Sequence, residues 1–448
     1  MIGPNMKAIS RSSRIWPVLA AVLLWVHPAP AAETWSVELA RTIMEKYPNL
    51  WNYPGGEWSY PHGHVFEGID MVRRNTGDPD RRYYNYLLSY ANHHAGSGVG
   101  GGSMDDMMAG VSFCWAYAQT KSDRYKNAAT NIRNSFNDYP RTSTGAFWHG
   151  RGLEGEFWID GVFMGEMFLT RYGTHVGDSA YCRNEAAKQL KLAYQHLSKG
   201  NNLLLHAWDE DKDASWANRQ TGLSPEVWGE GLGWYSNILV EALEAIPAGH
   251  PDRRALETQL DSLASGLKRF QDVSGCWWDI VDKPGVGENW TCVSATAFFV
   301  YAIKKGVDLG LLDSAVYGPV ARKGYNCLLT KLRKDTQNRV VVGATCEGLG
   351  VQDNWNDYMN CSYVENAKEA TAAVLWATAI MEKPANPSPV AQPVAAPRSQ
   401  VRKDSRERYY DLCGRLCSAQ AGILLTMGKR AVCVDHSNGG TPRIVIVR

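Results

Sequence analysis

The chain contains no HExxH pair, no EF-hand loop, no paired CxxC, no GxSxG and no P-loop. Those absences set aside zincin, calcium-switch, α/β-hydrolase and nucleotide-driven readings. After the N-terminus no stretch approaches the ~18 apolar residues that a membrane span needs. Phenylalanine is scarce, with 10 residues against 17 Trp and 21 Tyr. Rings with a polar edge dominate, which suits a cleft that stacks on sugar faces and hydrogen-bonds their rims. Net charge is also small, +1, but it is unevenly spread. Residues 385–448 carry ten Lys/Arg and four Asp/Glu, whereas residues 33–384 carry 34 basic and 42 acidic residues. An acidic main body argues against gripping a nucleic acid, and it leaves room for a short acidic oligosaccharide held by local groups.

Lys7, Arg11 and Arg14 precede a short apolar run from Ile15 to Val26 and the small residues Ala29-Pro30-Ala31-Ala32. Residues 1–32 therefore read as a signal peptide, with a mature chain starting near Glu33 in the periplasm or medium. Met6 is an alternative start. Export permits disulfides among the ten cysteines. The expected loop pairs are Cys276 with Cys292 and Cys346 with Cys361, and Cys114 reads as a buried thiol.

Helical periodicity dominates residues 33–383. Twelve helices are expected, over 34–47, 61–76, 81–95, 104–120, 123–138, 157–173, 177–198, 227–246, 252–270, 291–305, 312–331 and 364–381. Trp228, Leu232, Tyr235, Leu239 and Leu243 form one stripe of the eighth. Charged helices such as 252–270 tend to alternate with ones that are apolar on nearly all sides, such as 157–173 and 291–305. That alternation of outer and inner helices predicts an all-α fold, an (α/α)6 barrel. Long glycine-rich loops studded with Trp, Tyr, His and acids would build a site at one end of it. Residues 384–400 have a Pro/Ala-rich linker composition, and the basic tail 401–448 lacks periodicity and reads as a low-structure extension. Cys413, Cys417, Cys433 and His436 lie there, with spacing too loose for a metal motif.

Four segments hold most of the chemistry. Asp160 sits alone in Phe157-Trp158-Ile159-Asp160-Gly161-Val162-Phe163-Met164. A lone carboxylate in apolar surroundings is either satisfied internally or serves as a general acid. Asp105 and Asp106 open the fourth helix, where capping is one explanation and a cleft-facing partner for Asp160 the other. His206-Ala207-Trp208-Asp209 offers a histidine and a ring for a sugar. Trp228-Gly229-Glu230-Gly231-Leu232-Gly233-Trp234-Tyr235 has glycines in a dinucleotide-like spacing, but no strand precedes it. Its glycines instead suggest close backbone packing at the mouth of the barrel. Neither a metal nor a cofactor is expected.

In order along the chain, these segments resemble the unsaturated glycuronyl hydrolases, glycoside hydrolase families 88 and 105, with the closer likeness to the second. The likeness begins at Trp58-Ser59-Tyr60-Pro61-His62-Gly63 and Thr76-Gly77-Asp78 and continues at Asp105 with Gly110 and at Trp158 to Met164. It runs on through His206 to Asp209, Thr221 to Pro225, Trp228 to Tyr235, Asp282-Lys283-Pro284, Ser294 to Ala297 and Val364-Glu365-Asn366. The resemblance implies an (α/α)6 barrel that hydrates the C4=C5 double bond of a terminal unsaturated uronate. It implies Asp160 as proton donor and Asp105 as its catalytic partner. The oligosaccharide would be held by Tyr60, His62, Trp158, His206, Trp208, Trp228, Glu230 and Trp234. Two positions depart from the family pattern. Glu230 and Leu232 stand where an Arg and an Asn are common, which reverses the local charge. Competing readings are an epimerase-like isomerase using His62, His64, His93, His94, His149 and His206, an ordinary glycosidase, and an inactive carbohydrate-binding homologue. The oligomeric state is left open.

Overall fold

The computed structural model describes residues 33–385 and, beyond them, five short strands. The expected signal peptide, the linker and the Cys413/His436 group fall outside the described residues. Two compact units divide the chain at Pro389.

The first unit is a ring of helices: α1 (Trp35–Lys46), α2 (Tyr60–Thr76), α3 (Arg82–His94), α4 (Met104–Met108), α5 (Val111–Thr120), α6 (Asp123–Ser135) and α7 (Ile159–His175). It continues with α8 (Ser179–Leu197), α9 (Gly229–Ala245), α10 (Arg253–Phe270), α11 (Val293–Asp308), α12 (Ser314–Leu329), α13 (Trp355–Met359) and α14 (Lys368–Met381). All twelve expected helices are present. The fourth is split at Ala109-Gly110, where Gly110, Ser112 and Phe113 donate to carbonyls three residues back and tighten the turn. A Cβ on Gly110 would lie 2.7 Å from Phe168 and 2.8 Å from Ile132, so the break lets neighbouring helices approach.

Burial separates the two layers. Every residue of α9 from Gly229 to Leu243 is buried, as expected of a helix surrounded by others. In α10 the buried set includes Leu256, Leu260, Leu263 and Leu267, a single stripe on an otherwise charged helix. The inner helices close a ring: α2 on α4 and α5, these on α7, then α9, α11, α14 and back to α2. The starts of α2, α4, α7 and α9 share one cavity. The ends of α2, α5, α7, α9, α11 and α14 share another at the far side. The inner helices are therefore parallel, and the outer ones return the chain. Short antiparallel strand pairs trim the first end, such as Glu156–Trp158 with Ala207–Asp209.

The second unit has Tyr409–Tyr410 paired with Leu416–Cys417. A separate three-stranded antiparallel sheet joins Leu425–Met427, Arg430–Asp435 and Arg443–Val447. The β-branched run Ile444-Val445-Ile446-Val447 accounts for the last strand in a tail where helical periodicity is missing.

The expected disulfides are corrected. Cys276 bonds Cys327 on α12, not Cys292. Gly275, at φ +99°, presses against the Lys323 carbonyl and brings Cys276 onto that helix. Cys292, Cys346 and Cys361 are free thiols, and Cys114 is free and buried.

The far end of the ring is locked by charge. Arg171 bonds Glu67 at 2.9 Å and Glu241 at 2.7 Å, and Lys305 and Tyr301 also donate to Glu241. Burial alone would raise the Glu241 pKa, but Lys305 and Arg171 outweigh it and hold the carboxyl well below its usual range. Such an acid stabilises the fold above the ordinary carboxylate pKa, and the contribution fades as pH falls through the depressed value. Glu241→Gln should cost about 3 kcal/mol at neutral pH. In urea titrations the gap from the native chain should narrow below about pH 4.

Candidate active site

The cavity at the N-terminal end of the ring holds about 140 Å3. Its acids share one address. Asp105 is the second residue of α4, Asp160 of α7 and Glu230 of α9, and all three line the cavity. Glu369, second in α14, stands beside it and accepts from the Tyr60 hydroxyl at 2.5 Å. The parallel ring delivers position 2 of four inner helices, α4, α7, α9 and α14, to or beside the same bowl. The converging N-termini carry partial positive charge and favour anions there.

The pair Asp105-Asp106 divides its work. Asp106 makes the capping box with Ser103: its N–H donates to Ser103 Oγ at 3.3 Å, and its carboxylate accepts from the Ser103 N–H at 3.1 Å. Asp105 is left free to face the cavity, so both explanations offered for the pair hold, one for each residue. Burial raises the Asp105 pKa. His149, 3.8 Å away, opposes that, and Asp160, Asp106 and Glu369 add to it.

Asp160 is 9% exposed, and its carboxylate meets His206 Nε2 at 2.9 Å. The other ring nitrogen of His206 meets the Tyr358 hydroxyl at 2.8 Å. Strand pairing explains the alignment. Trp158 lies opposite Ala207, and the Ile159 N–H donates to the His206 carbonyl, so His206 faces the first turn of α7. Two hydrogen-bonding arrangements fit these distances. Tyr358 donates to Nδ1 while Nε2–H donates to ionised Asp160, or protonated Asp160 donates to Nε2 while Nδ1–H donates to Tyr358. One histidine thereby accommodates both protonation states of the acid.

Tyr60, Trp158, Trp228 and Trp234 line the cavity as expected, joined by His149, Met164 and the backbone of Gly348-Leu349-Gly350. His149 stacks on Trp158 with ring centroids 4.3 Å apart. Three residues expected to hold the sugar do not line the cavity. His62 does not line the cavity: it is buried against Tyr90 and bonded to the Tyr53 carbonyl. Trp208 stacks on His196 at 3.9 Å, because strand alternation turns it away from buried Ala207 and Asp209. Asp209 organises its own loop by accepting from the N–H groups of residues 211, 213 and 214. His206 lies behind Asp160 and outside the cavity lining.

Tyr358 and Glu369 were not singled out from sequence, and His149 only as one of the histidines of the competing epimerase-like reading. Glu369 carried a readable signal, an acid opening an apolar helix just as Asp160 and Glu230 do. Of the six histidines that an epimerase would draw on, His149 alone lines the cavity. His64 is locked among Phe163, Trp234, Phe298 and Trp376, and burial lowers its pKa to about 3. Among the described residues no group of three or more His, Cys, Asp or Glu is arranged to hold a metal ion.

A closed helical ring with acids and aromatic rings at one end defines a barrel-type carbohydrate enzyme. The profile of glycosyl hydrolase family 88 matches residues 35–384, and the chain belongs to that family. It is therefore a glycoside hydrolase. It is 25% identical over 314 residues to the unsaturated rhamnogalacturonyl hydrolase YesR of Bacillus subtilis, covering 68% of this chain and 84% of that one. It is 31% identical over 201 residues to protein Atu3128 of Agrobacterium fabrum, covering 43% and 85%. A family 105 glycoside hydrolase from C. acetobutylicum superposes with TM-score 0.71 at 24% identity, covering 78% of this chain and 99% of that one. The unsaturated glucuronyl hydrolase of Bacillus sp. GL1 superposes with TM-score 0.60 at 13% identity, covering 78% and 95%. These likenesses establish the (α/α)6 barrel.

The glycines of the Trp228–Tyr235 segment do pack as the sequence suggested. A Cβ on Gly229 would lie 2.8 Å from Ala295, and one on Gly233 would lie 2.6 Å from Phe298. Gly233→Ala should therefore destabilise the fold by about 1–3 kcal/mol through overpacking. Chemical denaturation measures this directly.

Proposed function

We propose that the protein hydrolyses oligosaccharides ending in an unsaturated uronate, the fragments that polysaccharide lyases leave behind. The observation that carries this reading is the pairing of Asp160 and Asp105 across one small cavity, with Asp160 backed by a histidine that serves either protonation state. The names of its relatives support the same substrate class.

The C4=C5 bond of such a sugar is an enol ether, conjugated with the ring oxygen. Asp160 delivers its proton to C4, and positive charge develops at C5 and the ring oxygen. Asp105, on the same cavity, stabilises that charge in this reading and orients sugar hydroxyls. His206 then donates to the ionised Asp160, and Tyr358 supports His206. Water adds at C5 and gives its proton back to Asp160, restoring the acid. The C5 hemiketal opens by breaking its bond to the ring oxygen. The hemiacetal left at C1 expels the remaining sugar as an alcohol. The anomeric carbon is never attacked, so the spacing rules of two-carboxylate glycosidases do not govern this site.

Loss of absorbance at about 235 nm, where the conjugated uronate absorbs, follows the reaction. The native enzyme should bleach unsaturated disaccharides from pectin, glycosaminoglycan or ulvan, and the panel identifies the parent polymer. Asp160→Asn should lower kcat at least about a hundredfold with the fold intact by circular dichroism. Near-native rates in that variant would reject the assigned acid. A native chain that binds such fragments without bleaching any would favour the carbohydrate-binding reading.

We also place the mature protein outside the cytoplasm, on the basic, apolar and small-residue pattern of residues 1–32. N-terminal sequencing of the exported protein should begin near Glu33, whereas cytosolic protein that retains residues 1–32 would oppose it.

A further inference from the structure

No lysine or arginine is among the residues that line the cavity. A substrate carboxylate placed there meets Asp105, Asp160 and Glu230 on the walls and Glu369 beside them, with no cation to receive it. Two buried polar groups at the start of α9 have no partner: both carboxyl oxygens of Glu230 and the Nε1–H of Trp228. Glu230 is 1% exposed and Trp228 is 1% exposed. Both line the cavity.

We infer that Glu230 works as a neutral carboxylic acid and, with the Trp228 indole N–H, donates a hydrogen bond to the carboxylate of the bound uronate. This rests on the proposed substrate class and adds how a bowl of acids holds an anion. Glu230 would thus fill by hydrogen-bond donation the place where the family resemblance leads one to expect a cation.

The surroundings decide where the proton sits. Burial is foremost in raising the Glu230 pKa well above its usual range. Glu369 of α14 is its strongest charged opponent, followed by Asp160 of α7 and by Asp279 on the loop ahead of α11. Glu369 already accepts from Tyr60, from the Lys368 ammonium at 2.8 Å and from the Gly348 N–H at 3.3 Å. The Ser294 hydroxyl is near enough to favour the ionised form of Glu230, but neither Glu230 carboxyl oxygen has a partner within hydrogen-bond distance, so a proton shared between the two acids belongs on Glu230. The Ser294 hydroxyl of α11 and the N-terminus of α9 pull toward ionisation. Neither matches the cost of burying an uncompensated charge. Lys368 also faces this side, but its ammonium is engaged by Glu369. Tyr60 and the thiols of Cys292 and Cys346 also surround Glu230, and all three have raised pKa values, while Asp105 and His149 face it from the same cavity.

A neutral donor at this position has a pH signature. Below the raised pKa of Glu230 the donor is intact. As pH climbs through that value the donor becomes a second negative charge facing the substrate, and KM rises. Steady-state KM on an unsaturated disaccharide, measured from acid to alkaline pH, tests this in three proteins. The native enzyme should show the alkaline rise. Glu230→Gln cannot ionise, and its KM should lack that rise. Glu230→Leu has no donor, and its KM should be higher at every pH by about ten- to a hundredfold. A Gln variant that follows the native alkaline rise, or a Leu variant with native KM, overturns the inference.

A second measurement needs no turnover. The infrared difference spectrum between the native chain and Glu230→Gln at neutral pH should contain the carbonyl stretch of one protonated carboxylic acid. Other protonated acids cancel in the difference. A difference spectrum showing only carboxylate bands would sink the inference even in an active enzyme. Failure of every unsaturated substrate to react, with the carboxylic acid band present, would instead count against the proposed reaction.

Discussion

The parallel run of the six inner helices is the constraint on which the rest depends. It sets every inner N-terminus at one end of the ring and every C-terminus at the other. The partial positive charge of the first turns then falls on one bowl, where carboxylates are best tolerated. Asp105, Asp160, Glu230 and Glu369 reach that bowl because each is the second residue of its helix. The far end meets the opposite demand. There Arg171 and Lys305, each near the last turn of an inner helix, converge on Glu241 and knit α7, α9 and α11 together.

The two ends divide stability from chemistry. Charges at the far end are matched in bidentate and bridging pairs, which rigidify the ring. At the near end acids outnumber their partners, and several polar atoms are buried with none. Unsatisfied groups of this kind are costly, so they persist where a ligand completes them. A site walled by acids and stacked rings, with His206 and Tyr358 hydrogen-bonded behind one carboxylate, suits the proposed reaction, whose difficulty lies in protonating carbon. The cation that follows is short-lived and needs only nearby negative charge.

Much of the fold was legible in the sequence because helical periodicity is local. The polar face of α10 is visible in its charged residues, whereas the single stripe expected of α9 understated its burial, which is complete from Gly229 to Leu243. Asp160 stood out for the same reason, as one acid in an apolar run. His62 and Trp208 misled because a sugar-binding ring and a packing ring are the same residue type. Which one results depends on strand alternation at Trp208 and on Tyr53 and Tyr90 around His62. Glu369 could have been read by analogy with Asp160 and Glu230, since all three open apolar helices.

The sequence by itself determined the twelve helices and their inner and outer alternation. Each of these follows from spacing within one element. Only the tertiary structure decided that Asp106 caps while Asp105 faces the bowl, that Cys276 joins Cys327, and that Tyr358 stands behind His206 from 152 residues away. Such pairings depend on distance through space between elements that packing brings together, and no periodicity along the chain encodes that distance.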